Sequence, residues 1–146
     1  MAATTVRLLL ADDDHDDCWL FKDALKELQV TADLTIVHNG EDLMRYLTAE
    51  KNELPHALFL DLNMPRKNGF ECLSEIRDNR TWKNLPVIII STSFDPVTGN
   101  QLYASGAQYF IRKPNEFTQL KKLISKVISS ITGPGPLKTS PENFLL

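Results

Sequence analysis

Short apolar runs alternate with longer amphipathic stretches along the chain. Five runs have the length of β-strands and lie at residues 6–11, 33–38, 57–60, 87–90 and 108–111. The runs VRLLLA and VIII are continuously apolar, which is typical of strands that are covered on both faces of a sheet.

Amphipathic stretches after these strands predict five helices. The apolar face of the first comprises Cys18, Trp19, Leu20, Phe21, Leu25 and Leu28. The second and third helices are predicted at residues 41–50 and 69–79. The apolar face of the last helix comprises Phe117, Leu120, Ile124, Val127 and Ile131.

The fourth predicted helix begins at Asp95-Pro96, where an N-cap acid precedes a proline suited to the first turn. It ends at Ser105-Gly106. Its propensity is the weakest in the chain, because Gly99 costs roughly 1 kcal/mol relative to alanine.

Five strands alternating with five helices predict one doubly wound α/β domain, with a five-stranded parallel sheet, over residues 1–131. Residues 132–146 are rich in proline and glycine and are predicted to form a tail rather than more helix.

Charge and composition argue against several functions. The formal net charge is −3 and basic residues are dispersed, so we expect no nucleic-acid partner. The N-terminus lacks the apolar core of a signal peptide, and no apolar run approaches the roughly 20 residues that span a bilayer. We therefore expect a cytoplasmic protein with no membrane partner, in which Cys18 and Cys72 are reduced, buried thiols.

Polar residues follow four of the predicted strands at the point where each strand ends. Asp12 and Asp13 follow the first, Asp61 the third, Thr92 the fourth and Lys113 the fifth. Because the carboxyl ends of parallel strands meet at one edge of the sheet, these side chains are expected to converge there.

Three carboxylates brought together in this way repel one another. Two unit charges about 4 Å apart cost roughly 4 kcal/mol at an effective dielectric of about 20. A divalent cation removes this cost, and oxygen ligands suit Mg²⁺. The alternative is that the acids of residues 12–17 only cap the first helix, whose dipole favours negative charge. That alternative does not explain the polar groups at the other strand ends.

The constellation resembles the receiver domain of two-component response regulators, which has a flavodoxin-like fold with strand order 2-1-3-4-5. The resemblance covers residues 6 to about 131 and rests on DD at 12–13, DLNMP at 61–65, Gly69, Thr92 and KP at 113–114. The long loop DNRTWKNLP and the lack of an attached domain make the chain most similar to the stand-alone regulators that partner bacterial phytochromes and other hybrid sensors.

The resemblance implies that Asp61 is the phosphoacceptor for a phosphoryl group from a sensor histidine kinase. It implies a Mg²⁺ site made by Asp12, Asp13, Asp61 and the backbone carbonyl of Asn63. Lys113 then neutralises the transferring oxygens, and Thr92 hydrogen-bonds the phosphate in the phosphorylated state.

The same resemblance assigns Phe110 to the family's switch-aromatic position, with a plain core residue as the alternative interpretation. Asn63 and Phe94 occupy the two positions that tune the lifetime of the phosphate. We predict a lifetime of minutes or longer, because the ring of Phe94 hinders the attacking water.

Four structural expectations accompany these roles. Pro65 belongs to the loop after the phosphoacceptor, and Gly69 is expected to have a positive φ where the chain re-enters a helix. The bond preceding Pro114 is expected to be cis. Asn115 is expected to cap the last helix.

Other readings of the acidic site are weaker. A dehalogenase-like phosphatase needs an acid two residues after the nucleophile, and Asn63 stands there. No GxGxxG or GxxxxGK[ST] run follows a strand, as a nucleotide- or flavin-binding module would require. A degenerate receiver that only binds proteins would not need the complete set of chemical groups.

With no domain after residue 131, the expected output is a protein contact or phosphate transfer to a histidine phosphotransfer protein. The weak fourth helix follows Thr92 and is the element expected to move. The partner or homodimer surface is therefore expected on the fourth helix, fifth strand and fifth helix. The tail ends in the apolar tip FLL, which is expected to dock across a dimer or onto its own domain and to strengthen association.

Overall fold

The computed structural model describes residues 5–49, 53–135, 137 and 139–146. Five strands form one sheet, namely β1 (Val6–Ala11), β2 (Ala32–Val37), β3 (Ala57–Asp61), β4 (Val87–Ser91) and β5 (Tyr109–Arg112). All neighbouring strands are parallel and their order is β2-β1-β3-β4-β5. The predicted doubly wound sheet is confirmed.

Five α-helices cover the sheet, namely α1 (His15–Glu27), α2 (Gly40–Thr48), α3 (Gly69–Asp78), α4 (Pro96–Ala104) and α5 (Phe117–Thr132). The predicted end of the second helix at residue 50 lies outside the described residues. A short 3₁₀ helix, Pro141–Asn143, follows near the C-terminus. No helix in the described ranges is both long and apolar enough to cross a bilayer.

The sheet separates two hydrophobic cores. Helices α1 and α5 pack on one face, and α2, α3 and α4 pack on the other. Side chains alternate between the faces along each strand, so Leu9 of β1 enters one core while Leu8 and Leu10 enter the other. This two-sided burial explains why β1 and β4 are continuously apolar in sequence.

The apolar face of α1 is narrower than predicted. Its buried residues are Cys18, Phe21, Ala24 and Leu25. Trp19 and Leu20 are 66% and 44% exposed, so the prediction that they widen the buried face is wrong. Consecutive residues on a helix diverge by about 100°, and only one stripe of α1 can face a flat sheet.

Two expectations near the start of α5 are also wrong. Glu116, not Asn115, is the N-cap residue, because the helix begins only at Phe117. The bond before Pro114 is trans, since the described residues contain no cis peptide bond. The trans form is the intrinsically preferred isomer of an X-Pro bond.

Gly69 is required for a close approach rather than for a positive φ, so that expectation is corrected. It is absent from the residues with positive φ. A Cβ at this position would lie 2.6 Å from the Asp61 carbonyl oxygen and 2.8 Å from the Leu62 Cα. The Gly69 N–H also donates to the Leu62 carbonyl at 3.0 Å. The glycine therefore lets the start of α3 pass directly against the end of β3.

Gly69→Ala is expected to lower the free energy of unfolding by about 2 kcal/mol, because backbone atoms rather than a flexible side chain must move. Urea denaturation measures this loss. Ser74→Ala, at an exposed position of the same helix, is the matched control. If the two variants unfold within about 0.5 kcal/mol of each other, the close approach does not require glycine.

Candidate functional site

The acidic cluster forms because β1 and β3 are neighbours in the sheet. Ala11 at the end of β1 pairs with Leu60, which places Asp12 beside Asp61. The carboxylate oxygens offered by Asp12, Asp13 and Asp61 all lie within 4.8 Å of one another. Asp12 and Asp61 are 1% and 5% exposed, whereas Asp13 is open to solvent. The structure thus brings together the three predicted carboxylates, two buried and one accessible.

Lys113, which directly follows β5, places a positive charge in this cluster. The Lys113 Nζ lies 3.0 Å from Asp12 Oδ2 and 3.6 Å from Asp61 Oδ2. Burial alone lowers the pKa of Lys113, but its hydrogen bonds with Asp17 and Asp12 outweigh burial and raise the pKa above its ordinary value. Lys113 therefore remains an ammonium group.

Sequence reasoning missed Asp17, which it treated only as an acid favoured by the helix dipole. Its Oδ2 accepts a hydrogen bond from Lys113 Nζ at 2.8 Å, the shortest of the three lysine–carboxylate contacts. Asp14 is the N-cap of α1, so Asp17 lies in the first turn, on a helix that starts at the site. This position in the first turn, three residues after the N-cap, is the sequence feature from which a contact between Asp17 and the site could have been predicted.

Asp12 is held in place by its neighbours. Its Oδ1 accepts a hydrogen bond from the Asp14 N–H at 3.0 Å. Its carbonyl oxygen lies 3.4 Å from Cys18 Sγ and 3.0 Å from His38 Nδ1. Burial, followed by the charge of Asp12, raises the pKa of Cys18 to about 12, so this free cysteine is a neutral thiol that can donate to the carbonyl. The other free cysteine, Cys72, is also buried.

The ionised form of Asp61 is disfavoured in this cluster. Burial, then the negative charge of Asp12 and a hydrogen bond with it, raise the pKa of Asp61 to about 7. Lys113 and the Asn63 N–H, which donates to Asp61 Oδ1 at 3.2 Å, act in the opposite direction. A divalent cation bound by these oxygens would favour the ionised form. The all-oxygen donor set fits a hard cation.

The two residues predicted to form a switch lie directly after β4 and within β5. Thr92 is exposed and follows Ser91, whose carbonyl accepts from the Lys113 N–H at 2.7 Å. Phe110 lies within β5 and is buried, with its ring 4.9 Å from the ring of Phe94 in an edge-on arrangement. The structure therefore places Phe94 against Phe110, the residue predicted to be the switch aromatic.

The two prolines predicted at the site lie in different loops, Pro65 between β3 and α3 and Pro114 between β5 and α5. Pro65 is exposed in the loop between β3 and α3. Pro114 lines a small cavity beside Asp12 and Lys113, together with apolar side chains of α1 such as Phe21. Pro114 therefore borders the site, and neither proline contributes a polar side chain to it.

Residues 8–125 match the family model of the response regulator receiver domain. The chain belongs to the receiver family. Members of this family are in general phosphoacceptors rather than enzymes in the usual sense, and they bind a divalent metal in an acidic pocket.

Relatives of this receiver include proteins of very different length. It is 29% identical over 126 residues to response regulator Rcp1 of Synechocystis, covering 84% of this chain and 86% of Rcp1. It is 32% identical over 125 residues to protein RcaC of Microchaete diplosiphon, covering 86% of this chain but only 18% of RcaC. The similarity to RcaC therefore concerns one portion of a longer protein.

Solved structures similar to this receiver include regulators linked to phytochromes. The Mn²⁺-bound form of Rcp1 matches with a TM-score of 0.79 and 27% identity, covering 92% of this chain and 99% of that one. The phosphorylated cyanobacterial phytochrome response regulator RcpA matches with a TM-score of 0.82 and 27% identity, covering 93% and 100%. The predicted similarity to phytochrome-associated regulators is confirmed.

Proposed function

We propose that this receiver accepts a phosphoryl group on Asp61 from a sensor histidine kinase or a histidine phosphotransfer protein, with Mg²⁺ as its cofactor. The supporting observation is the position of Asp61 at the end of β3, beside two further carboxylates and 3.6 Å from the Lys113 ammonium. The similarity to Mn²⁺-bound Rcp1 and to phosphorylated RcpA supports both parts of the proposal.

In the proposed reaction, a carboxylate oxygen of Asp61 attacks the phosphorus of a phosphohistidine. A new O–P bond forms and the N–P bond breaks, and the imidazole nitrogen keeps the electron pair and then takes a proton. When bound, Mg²⁺ neutralises charge on the transferring oxygens. Asp12, Asp13, Asp61 and the Asn63 carbonyl would hold it, the last from an exposed loop directly after β3.

Lys113 supplies the fixed positive charge for this step. Its Nζ contacts the carboxylates of Asp17 in α1, Asp12 directly after β1 and Asp61 in β3, so it is already at the site before a phosphoryl group arrives. Preorganised charge of this kind needs little rearrangement during the reaction. A small shift of the Lys113 ammonium from Asp17 toward Asp61 would bring it to a phosphate oxygen. The Thr92 hydroxyl would approach the phosphate from the end of β4.

Intact mass spectrometry after incubation with acetyl phosphate and Mg²⁺ tests the proposal. The expected result is a single lasting adduct of one phosphoryl group, located on Asp61 by peptide mapping. A phosphatase would hydrolyse the donor repeatedly without a lasting adduct. A receiver that only binds proteins would show neither, and either outcome would overturn the proposal.

We propose that the signal leaves through α4, β5 and α5. Phe94, two residues after Thr92, packs between this switch region and α4, because a Cβ at Gly99 would lie 2.6 Å from its ring. The same ring contacts Phe110. A shift of Thr92 toward phosphate would therefore displace both the start of α4 and the aromatic residue of β5.

Phe94→Ala is expected to shorten the lifetime of the phosphoryl group by about tenfold or less, since removal of the ring opens the segment after Thr92 to water. Val97→Ala, at an exposed position of α4, is the control. Decay of the intact-mass adduct after removal of the donor measures both lifetimes. An unchanged lifetime in Phe94→Ala would contradict a tuning role for this residue.

A further inference from the structure

The C-terminal residues 140–146, here called the clip, bind the open edge of the sheet. Strand β5 is an edge strand, and such strands present unpaired backbone groups. The Phe110 N–H donates to the Phe144 carbonyl at 2.8 Å, and the Leu146 N–H donates to the Phe110 carbonyl at 2.9 Å. Leu145 forms a parallel bridge with Phe110. The clip therefore satisfies both backbone groups of one residue of β5.

Side chains of the clip pack on both faces of the sheet. Phe144 is 4% exposed and lies in the core beneath α2–α4, with its ring 5.6 Å from that of Tyr103 and 6.2 Å from that of Phe110. Leu146 packs against the opposite core, beneath α1 and α5. Leu145 between them is 45% exposed. The clip thus straddles the edge of β5.

The sequence of the clip preorganises this arrangement. The Ser140 N–H donates to Asn143 Oδ1 at 2.7 Å, and the Asn143 N–H donates to Ser140 Oγ at 3.4 Å. Pro141 occupies the first turn of the 3₁₀ helix that these contacts close. A segment that is already folded loses less entropy when it binds.

The connection to α5 favours the chain's own clip over that of a second copy. Only residues 133–139 separate the last residue of α5 from the clip. A short linker gives an effective concentration on the order of millimolar, which a second molecule at micromolar concentration does not match. The occupant of this edge is therefore the same chain.

We propose that the clip is an internal ligand of the β5 edge. The clip must dissociate before a second copy or a partner gains full access to the α4–β5–α5 surface. This rests on the proposed function insofar as that surface is the one that signals. The clip and the switch share Phe110, through its two backbone hydrogen bonds and its ring. Any change in the position of Phe110 therefore alters the binding of the clip.

Amide hydrogen exchange of the full chain by NMR tests the clip at several protein concentrations. The expected result is protection of the Phe110 and Leu146 amides that does not change on dilution. Phe144→Ala is expected to speed exchange of the Phe110 amide about tenfold or more, because it removes the buried anchor. Leu145→Ala, which changes the exposed neighbour, should behave as wild type.

Leu146→Pro gives a second variant should Phe144→Ala fail to fold, since it removes one hydrogen-bond donor and leaves the Phe144 ring in place. Sedimentation velocity then measures self-association. Either clip variant is expected to associate at a lower concentration than wild type, because the edge of β5 is uncovered. If neither variant associates more readily, the clip does not cover a binding surface.

Two other outcomes would overturn the proposal. Protection of Phe110 that falls on dilution together with dissociation of a dimer would assign the clip to a second copy. Unchanged exchange in both clip variants would show that the clip does not bind β5.

Phosphorylation tests the link to the switch separately. In protein shown by intact mass to carry one phosphoryl group, exchange of the Phe110 amide is expected to change. A phosphorylated protein with unchanged exchange would refute this coupling and leave the proposed function standing. Absence of an adduct would refute the proposed function, while the dilution and variant results would still decide the clip.

Discussion

Asp61→Asn is expected to abolish phosphoryl uptake and to make the cation-free protein more stable than wild type. The amide is nearly isosteric with the carboxylate but is a much poorer nucleophile, so the intact-mass adduct should disappear. It also removes the repulsion between Asp61 and Asp12 that, together with burial, raises the pKa of Asp61 to about 7.

The gain in stability should depend on pH. A carboxyl group whose pKa is raised on folding stabilises the protein fully at low pH, and this contribution is lost as the pH rises through the folded-state pKa. In the presence of a chelator, wild type should lose stability relative to Asp61→Asn between about pH 4 and pH 7. Since one pKa unit corresponds to about 1.4 kcal/mol, the difference should grow by about 4 kcal/mol across this pH range.

Urea denaturation in chelator at several pH values measures this difference. Asp33→Asn, at an exposed position of β2, controls for the general loss of one negative charge. Uptake of phosphate by Asp61→Asn at the wild-type rate would show that Asp61 is not the nucleophile. A stability difference that does not depend on pH would contradict the electrostatic account of the site.

Millimolar Mg²⁺ should raise the melting temperature of wild type, and Asp13→Ala should remove this response. A cation that binds the folded acidic cluster but not the unfolded chain stabilises by about 2.7 kcal/mol at 100 times its dissociation constant. Asp13 is the accessible member of the cluster, so its truncation should cost little stability without the cation.

Thermal melts with and without Mg²⁺ test this prediction, and Mn²⁺ provides a second cation. Asp16→Ala removes an exposed carboxylate from the first turn of α1 outside the cluster and should keep the response. A wild-type melting curve that does not respond to either cation would contradict a competent metal site.

The sheet and the location of the site were predictable because both follow from rules that act along the sequence. A continuous apolar run such as VIII at 87–90 predicts a buried strand. Residues that follow parallel strands meet at one edge of the sheet. Asp12, Asp61 and Lys113 could therefore be brought together without knowledge of any contact. Membership of the receiver family agrees with that reading.

The wrong predictions concern features that depend on how neighbouring helices and strands pack against one another. Periodicity alone cannot decide whether Trp19 faces the sheet, and sequence does not show that a Cβ at Gly69 would meet the backbone of β3. The role of Asp17 depends on how α1 is placed relative to Lys113. Apolar residues at the C-terminus indicated docking, but their place on the edge of β5 is set by three-dimensional contacts.

The clip also ties the two helical layers of the domain together mechanically. Phe144 is anchored in the layer beneath α4 and Leu146 in the layer beneath α5, with one exposed residue between them. The two anchor points cannot move far apart without releasing one of them. Sliding of α4 relative to α5 across the sheet would therefore release the clip. Its release would expose the edge of β5.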